Sequence, residues 1–250
     1  MSYHFSLISN PPTMILKHCL CVLTVLWLPA TVQAKPGKAK VPLQIRAVLF
    51  DPAHSAGELF YPDKKGDVVK LNFRLQDLTP PLFTLPVDGS LVLYDKANAN
   101  LKDPKANLAA SVKLPSDIRQ AIVVVVPEPA GSSPAYRMVL IDDSAKGFPK
   151  GESRVLSLVA METTLEAGEH KLTIPPGGIT SVPPVKKVDE FNMAQTNFNY
   201  QQSGSWVTFS QRQLQFLDAY RRIFIIHPTP VTLQPAVTTI ADTAPTALRR

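Results

Sequence analysis

Proline sets the strongest limit on what this chain can fold into. Its 24 prolines are spread along all 250 residues. Each removes a backbone donor and clashes with the preceding turn of a helix. The stretches between them are too short for long helices, but they suit strands. Leu43–Phe50 alternates Gln44 and Arg46 with apolar residues, and Val68–Leu75 alternates Val69, Leu71, Phe73 and Leu75 with Lys70, Asn72 and Arg74. This is the period-two pattern of a half-buried strand. Ile122–Val126 and Tyr136–Ile141 are continuous apolar runs flanking a Pro/Gly/Ser turn, as two central strands would be. Further runs fall at Ser90–Tyr94, Ala109–Leu114, Arg154–Val159, Met161–Leu165, Lys171–Ile174, Ile179–Val182, Phe191–Tyr200, Ser205–Ser210, Arg222–His227 and Val231–Leu233, in all about 12 to 14 short strands.

The expected fold is therefore all-β. It is an antiparallel β-sandwich, built either as one elaborated domain or as two packed Ig-like sandwiches, with at most one short helix. That helix falls at Gln211–Tyr220, where Leu214, Leu217 and Tyr220 would share a face. Thr196–Ser203, rich in Asn and Gln, reads either as strand or as exposed loop. No internal repeat is evident. From Gln234 onward the chain is Ala/Thr/Pro-rich and unpatterned, the composition of a disordered tail. The expected division is a leader at 1–34, a basic linker at 35–42, the sandwich region at 43–233 and the tail at 234–250.

The leader is read from Met14–Ala34. Lys17 precedes an apolar run, Cys19–Leu28, broken by Pro29, and Val32-Gln33-Ala34 resembles a cleavage site. The run is shorter than the roughly 20 residues that span a bilayer. Export, cleavage after Ala34 and a periplasmic or secreted destination follow, with no transmembrane span left afterwards. Residues 1–13 fit no part of a signal, and Met14 is the better start. Both cysteines, Cys19 and Cys21, fall inside the leader. The rest of the chain can form no disulfide and has no thiolate chemistry, which suits a bacterial envelope.

The formal net charge is +6. Much of the excess sits in Lys35, Lys38 and Lys40 and in Arg249 and Arg250, two solvated basic ends and not a nucleic-acid surface.

Three constellations hold candidate chemistry. Asp51, His54 and Glu58 share one loop, as metal ligands or as a base with an orienting acid, although no regular element gathers them on one face. Asp142 and Asp143 follow a strong strand. They lack calcium-loop spacing and read as turn formers. His170 and His227 read as solvent-facing edge residues. Trp206 lies close in sequence to Tyr200, Phe198 and Phe209, interleaved with Asn199 and Gln201. Aromatic faces beside amides suit a sugar, and they equally suit a core beside a polar hairpin. Trp206 is expected in the core, although strict alternation with Val207 and Phe209 would turn it outward. Nucleophile-elbow, zinc-protease, phosphate-loop and dinucleotide motifs are absent from the sequence, which weighs against an enzyme. No cofactor is implied.

Three stretches have a familiar layout: Tyr136–Ser144, Phe148–Leu158 and Gly168–Gly178, with Ser205-Trp206-Val207 and Arg222–Ile226 as closing strands. This layout is similar to that of uncharacterised exported β-rich proteins of verrucomicrobia-like bacteria. The resemblance implies an all-β envelope protein and transfers no activity. The leading functional expectation is a non-catalytic structural or protein-interaction module of the cell envelope, with an envelope protein or polysaccharide as partner. The alternatives are a glycan-binding module using Trp206, Tyr200, Asn199 and Gln201, and a metal-dependent hydrolase using Asp51, His54 and Glu58.

Overall fold

A computed structural model of the chain describes residues 41–51, 56–74, 76–101, 103 and 105–243. The leader, most of the basic linker, His54 and residues 244–250 lie outside the described residues. Those described form sixteen strands and no helix. The first eight are β1 (Leu43–Leu49), β2 (Phe60–Pro62), β3 (Val68–Lys70), β4 (Leu82–Thr84), β5 (Ser90–Tyr94), β6 (Leu108–Lys113), β7 (Gln120–Pro127) and β8 (Tyr136–Asp142). The second eight are β9 (Ser153–Ser157), β10 (Thr163–Ala167), β11 (His170–Ile174), β12 (Ile179–Val182), β13 (Met193–Gln202), β14 (Ser205–Gln215), β15 (Arg221–Pro228) and β16 (Pro235–Asp242). The all-β expectation is met.

The strands form four sheets, in the orders β4-β1-β7-β8, β3-β2-β5-β6, β12-β9-β15-β16 and β11-β10-β13-β14. Adding eight to every label of the first two gives the last two. The repeat that the sequence conceals is thus explicit in the topology, and it extends to register. Arg46 of β1 pairs with Ile122 of β7, which pairs with Ile141 of β8. Arg154 of β9 pairs with Ile223 of β15, which pairs with Ile240 of β16. The central pairs β1–β7 and β9–β15 are parallel, whereas every other strand pair is antiparallel.

Alternation assigns the side chains of the central sheets to three of the four buried clusters, the fourth being Phe60, Val92, Tyr94 and Ala99. Ile45, Ala47, Val123 and Val125 face the β3-β2-β5-β6 sheet, filling the first sandwich with Leu59, Leu91 and Leu93. Val155, Phe224 and Ile226 do the same in the second sandwich, with Leu165, Ile174 and Phe198. The intervening residues Val48, Ile122 and Val124 meet Leu156, Ile223 and Ile225 in a third cluster, a seam between the two central sheets. Both faces of those sheets are therefore dry. This is why β7 and β15 are continuous apolar runs, and why the expectation of one wet face fails for β1, where Arg46 is buried.

Several boundaries differ from the sequence reading. The helix at Gln211–Tyr220 does not form. β14 continues to Gln215, because Gln211, Gln213 and Gln215 alternate with Arg212, Leu214 and the buried Phe216. The tail is not patternless, since Pro235–Asp242 pairs residue by residue with β15 and buries Val237 and Ile240. Val231–Leu233 is the turn before it, not a strand. Strand β3 stops at Lys70, and Thr196–Ser203 is strand up to Gln202.

Candidate functional site

β13 and β14 are the two longest strands, of 10 and 11 residues, joined through Ser203-Gly204. Both turn residues have positive φ, at 50° and 83°. That is the backbone of a two-residue hairpin turn whose twist matches the strands. A bulge between Phe198 and Asn199 leaves Phe209 as the extra residue on β14. The Phe209 ring packs 6.1 Å from Phe198 and 6.0 Å from Tyr200, so all three lie on the core side.

The opposite side of this hairpin is polar apart from Trp206 and, at its far end, Met193 opposite Gln215. Across the strands the outer face falls into rows. Trp206 stands opposite Gln201. In the next row Thr208, Asn199, Thr164 and Thr173 cross all four strands. Gln211, Asn197, Glu166 and Lys171 form the third, and Gln213 with Gln195 the fourth. The second row is wired together. Thr208 Oγ1 donates to Asn199 Oδ1 at 2.6 Å, and Asn199 Nδ2 donates to Thr164 Oγ1 at 3.1 Å. Gln195 Nε2 donates to Asn197 Oδ1 at 3.0 Å. Glu166 and Lys171 neutralise each other at 2.7 Å. The outward positions of β13 and β14 carry no charged residue. Gln201, Gln211 and Gln213 are exposed and make no side-chain hydrogen bond among the described residues.

Trp206 is 47% exposed, so the expectation that it belongs to the core is overturned. The alternation argument placed it correctly. β10 reaches only as far as Tyr200, so the hairpin tip from Gln201 to Trp206 overhangs its neighbours. Of the four residues proposed for a sugar site, Trp206, Asn199 and Gln201 share the outer face. Tyr200 does not, because its ring is buried and its hydroxyl bonds Gln202 Oε1 at 3.1 Å. Asn199 is only 8% exposed and serves to hold Thr164 and Thr208 in place. Sequence reasoning missed Gln211 and Gln213 because it gave them to a helix. The period-two Gln-x-Gln-x-Gln run was the signal that would have found them.

The other candidates separate. His54 lies outside the described residues. Asp51 follows β1 and accepts a bond from the Ala56 amide at 2.6 Å, and Glu58 is ion-paired with Lys70 on the surface. Among the described residues no group of three His, Cys, Asp or Glu side chains is placed to hold a metal ion. His170 Nε2 lies 3.2 Å from the Pro184 carbonyl. His227 is not solvent-facing. It is buried against Phe50 with ring centroids 4.8 Å apart, and Nε2 lies 3.1 Å from Thr238 Oγ1. Burial pulls its pKa below the ordinary value, against a smaller opposing effect of the Pro228 carbonyl. Beside it the seam opens into a cleft of about 430 Å³, lined by Phe50, Val126, Leu158 and Pro228, with Glu128 and Arg137 ion-paired at 3.1 Å on its wall.

Asp142 does act as a turn former, accepting the Ser144 amide at 2.9 Å. Asp143 has a different role. At the end of the seam away from the cleft, Arg46 donates to Asp143 at 2.7 and 2.9 Å and to Asp242 at 2.7 and 2.8 Å. Arg221 donates to Asp143 at 2.7 Å, to Asp242 at 2.8 Å and to the Phe148 carbonyl at 2.8 Å. The ring of two cations and two anions has no net charge and is shut off from solvent. Phe148 is sandwiched between Arg154 and Arg221, each guanidinium 4.5 Å from its centroid. Burial raises the Asp242 pKa, but the bonds and charges of Arg46 and Arg221 outweigh it and hold the carboxyl down at about 2. The same balance acts on Arg46, where burial lowers the pKa and the two aspartates more than restore it. With every guanidinium nitrogen of Arg46 and Arg221 partnered, this ring reads as a structural clamp between the sandwiches.

No helix among the described residues is long and apolar enough to cross a membrane. No protein-family model matches the chain, and comparison with curated proteins finds no similar sequence.

Proposed function

We propose that this protein is an exported, non-catalytic binding module of the cell envelope, and that the outer face of the β11-β10-β13-β14 sheet recognises a glycan. The exposure of Trp206 beside unpartnered amides is the observation that carries this reading. An indole face stacks on the apolar face of a sugar ring, while amides satisfy its hydroxyls in both donor and acceptor senses. A tryptophan left 47% exposed at a hairpin tip is not accounted for by the hydrophobic core. The leader at Met14–Ala34 and the cysteine-free remainder support export to an envelope compartment.

Trp206 is the only tryptophan outside the leader, so its fluorescence reports the site directly. Emission from the free protein is expected at a wavelength typical of a hydrated indole. Adding solubilised envelope polysaccharide should shift it to the blue, and Trp206→Ala should abolish co-sedimentation with insoluble polysaccharide. Undiminished co-sedimentation of the Ala variant would reject the reading.

A further inference from the structure

The layout of the face narrows the class of glycan, an inference that rests on the glycan reading above. The groups free to bind are not clustered around Trp206. Apart from Gln201 opposite Trp206, they run in one line along the outer side of β14: Trp206, Gln211 and Gln213, with the Thr208 hydroxyl, which donates to Asn199, left as an acceptor. At about 3.3 Å per residue, less the bulge, that line is roughly 20 Å long, room for roughly four sugar rings. Across the strands the binding capacity is smaller. Asn199 and Thr164 are buried and spend their hydrogen bonds on one another, and Glu166 and Lys171 are paired.

We infer that the ligand is a neutral, β-1,4-linked linear glycan lying along β14, with one ring stacked on Trp206 and the following rings over Thr208, Gln211 and Gln213. A β-1,4-linked chain is an extended, flat ribbon that can follow an extended, gently twisted strand. Helical α-linked chains curve away from such a strand after a ring or two. The absence of charge from the outward positions of β13 and β14 gives an anionic polymer nothing to pair with, whereas neutral hydroxyl and acetamido groups match the carboxamides. Arg212, the one charged residue of β14, turns to the other side and donates to the Val237 carbonyl at 3.0 Å.

The experiment is titration calorimetry of the protein with chito- and cello-oligosaccharides of two to six rings, at low and high salt. Affinity for at least one series should rise with each ring up to about four and then level off, and it should not depend on salt. The double variant Gln211→Ala/Gln213→Ala should weaken binding of the longer chains about tenfold, as expected for two lost hydrogen bonds. It should leave the two-ring ligand unaffected. Affinity that does not grow beyond two rings, a double variant that weakens short and long chains equally, or strong salt dependence would each overturn the inference. If the protein binds envelope polysaccharide through Trp206 but neither oligosaccharide series, the ligand class is wrong and the glycan reading stands. If Trp206→Ala leaves polysaccharide binding intact, both fall.

Discussion

The residues of the outer face divide into those that bind and those that hold, and the two respond differently to truncation. Trp206 overhangs its sheet, so Trp206→Ala should change stability by no more than about 0.5 kcal/mol in urea unfolding. Asn199 bridges Thr164 and Thr208 from a nearly sealed position, so Asn199→Ala should cost about 1–2 kcal/mol. A Trp206 variant that unfolds as readily as a core truncation would contradict the exposed placement. Asp242 lies at the opposite extreme. Its removal would leave Arg46 and Arg221 sharing Asp143 alone, and Asp242→Ala should cost about 3–5 kcal/mol by the same assay. Nothing in the local sequence announces this. An aspartate in an Ala/Thr run looks solvated until its partner 196 positions away is known.

Among the elements, legibility followed how much a strand depends on its own residues. β5, β7, β8, β12 and β15 were readable because their side chains alternate or are apolar throughout. β2 and β4, three residues each, carry too little pattern and exist through their neighbours. β16 was hidden for a related reason. Its Ala and Thr residues are weakly apolar, and their burial is decided by β15, against which they lie. Replacing Ile225 at the middle of β15 by Ala should cost about 2–5 kcal/mol, because its site is walled by two sheets that cannot collapse inward. Ending the chain after Leu233 removes β16 and bares the whole length of β15. That product should migrate as an aggregate in size-exclusion chromatography, the usual fate of a long apolar edge. A soluble monomer would show that β16 is dispensable.

For the whole molecule, the buried ring and His227 both make acid unfavourable. Asp242 has a folded pKa of about 2, below its ordinary 3.8. The folded state therefore favours the charged form, and its contribution is complete above about pH 4. It is lost as pH falls toward 2, in all about 2 kcal/mol. His227 has a folded pKa below 6.5, so protonation favours the unfolded chain as pH drops beneath that value. Urea midpoints should fall modestly from pH 7 to 5 and steeply between pH 4 and 2, and Asp242→Asn should flatten the steep part. A midpoint that rises on acidification would refute the assignment.

The seam and the ring also fix the order in which the fold can be completed as the chain is made. The first eight strands can pair and fill their own core as soon as β8 has emerged, and Arg46 can then meet Asp143. Its second carboxylate, Asp242, arrives only with the last residue of β16, and is the second carboxylate of Arg221 as well. Until then the outer side of the first central sheet, with Val48, Ile122 and Val124, has nothing to pack against. The nascent half-molecule is therefore an open-sided intermediate, held in waiting by its own central sheet. A chaperone has the whole time of synthesis of the second eight strands in which to engage it.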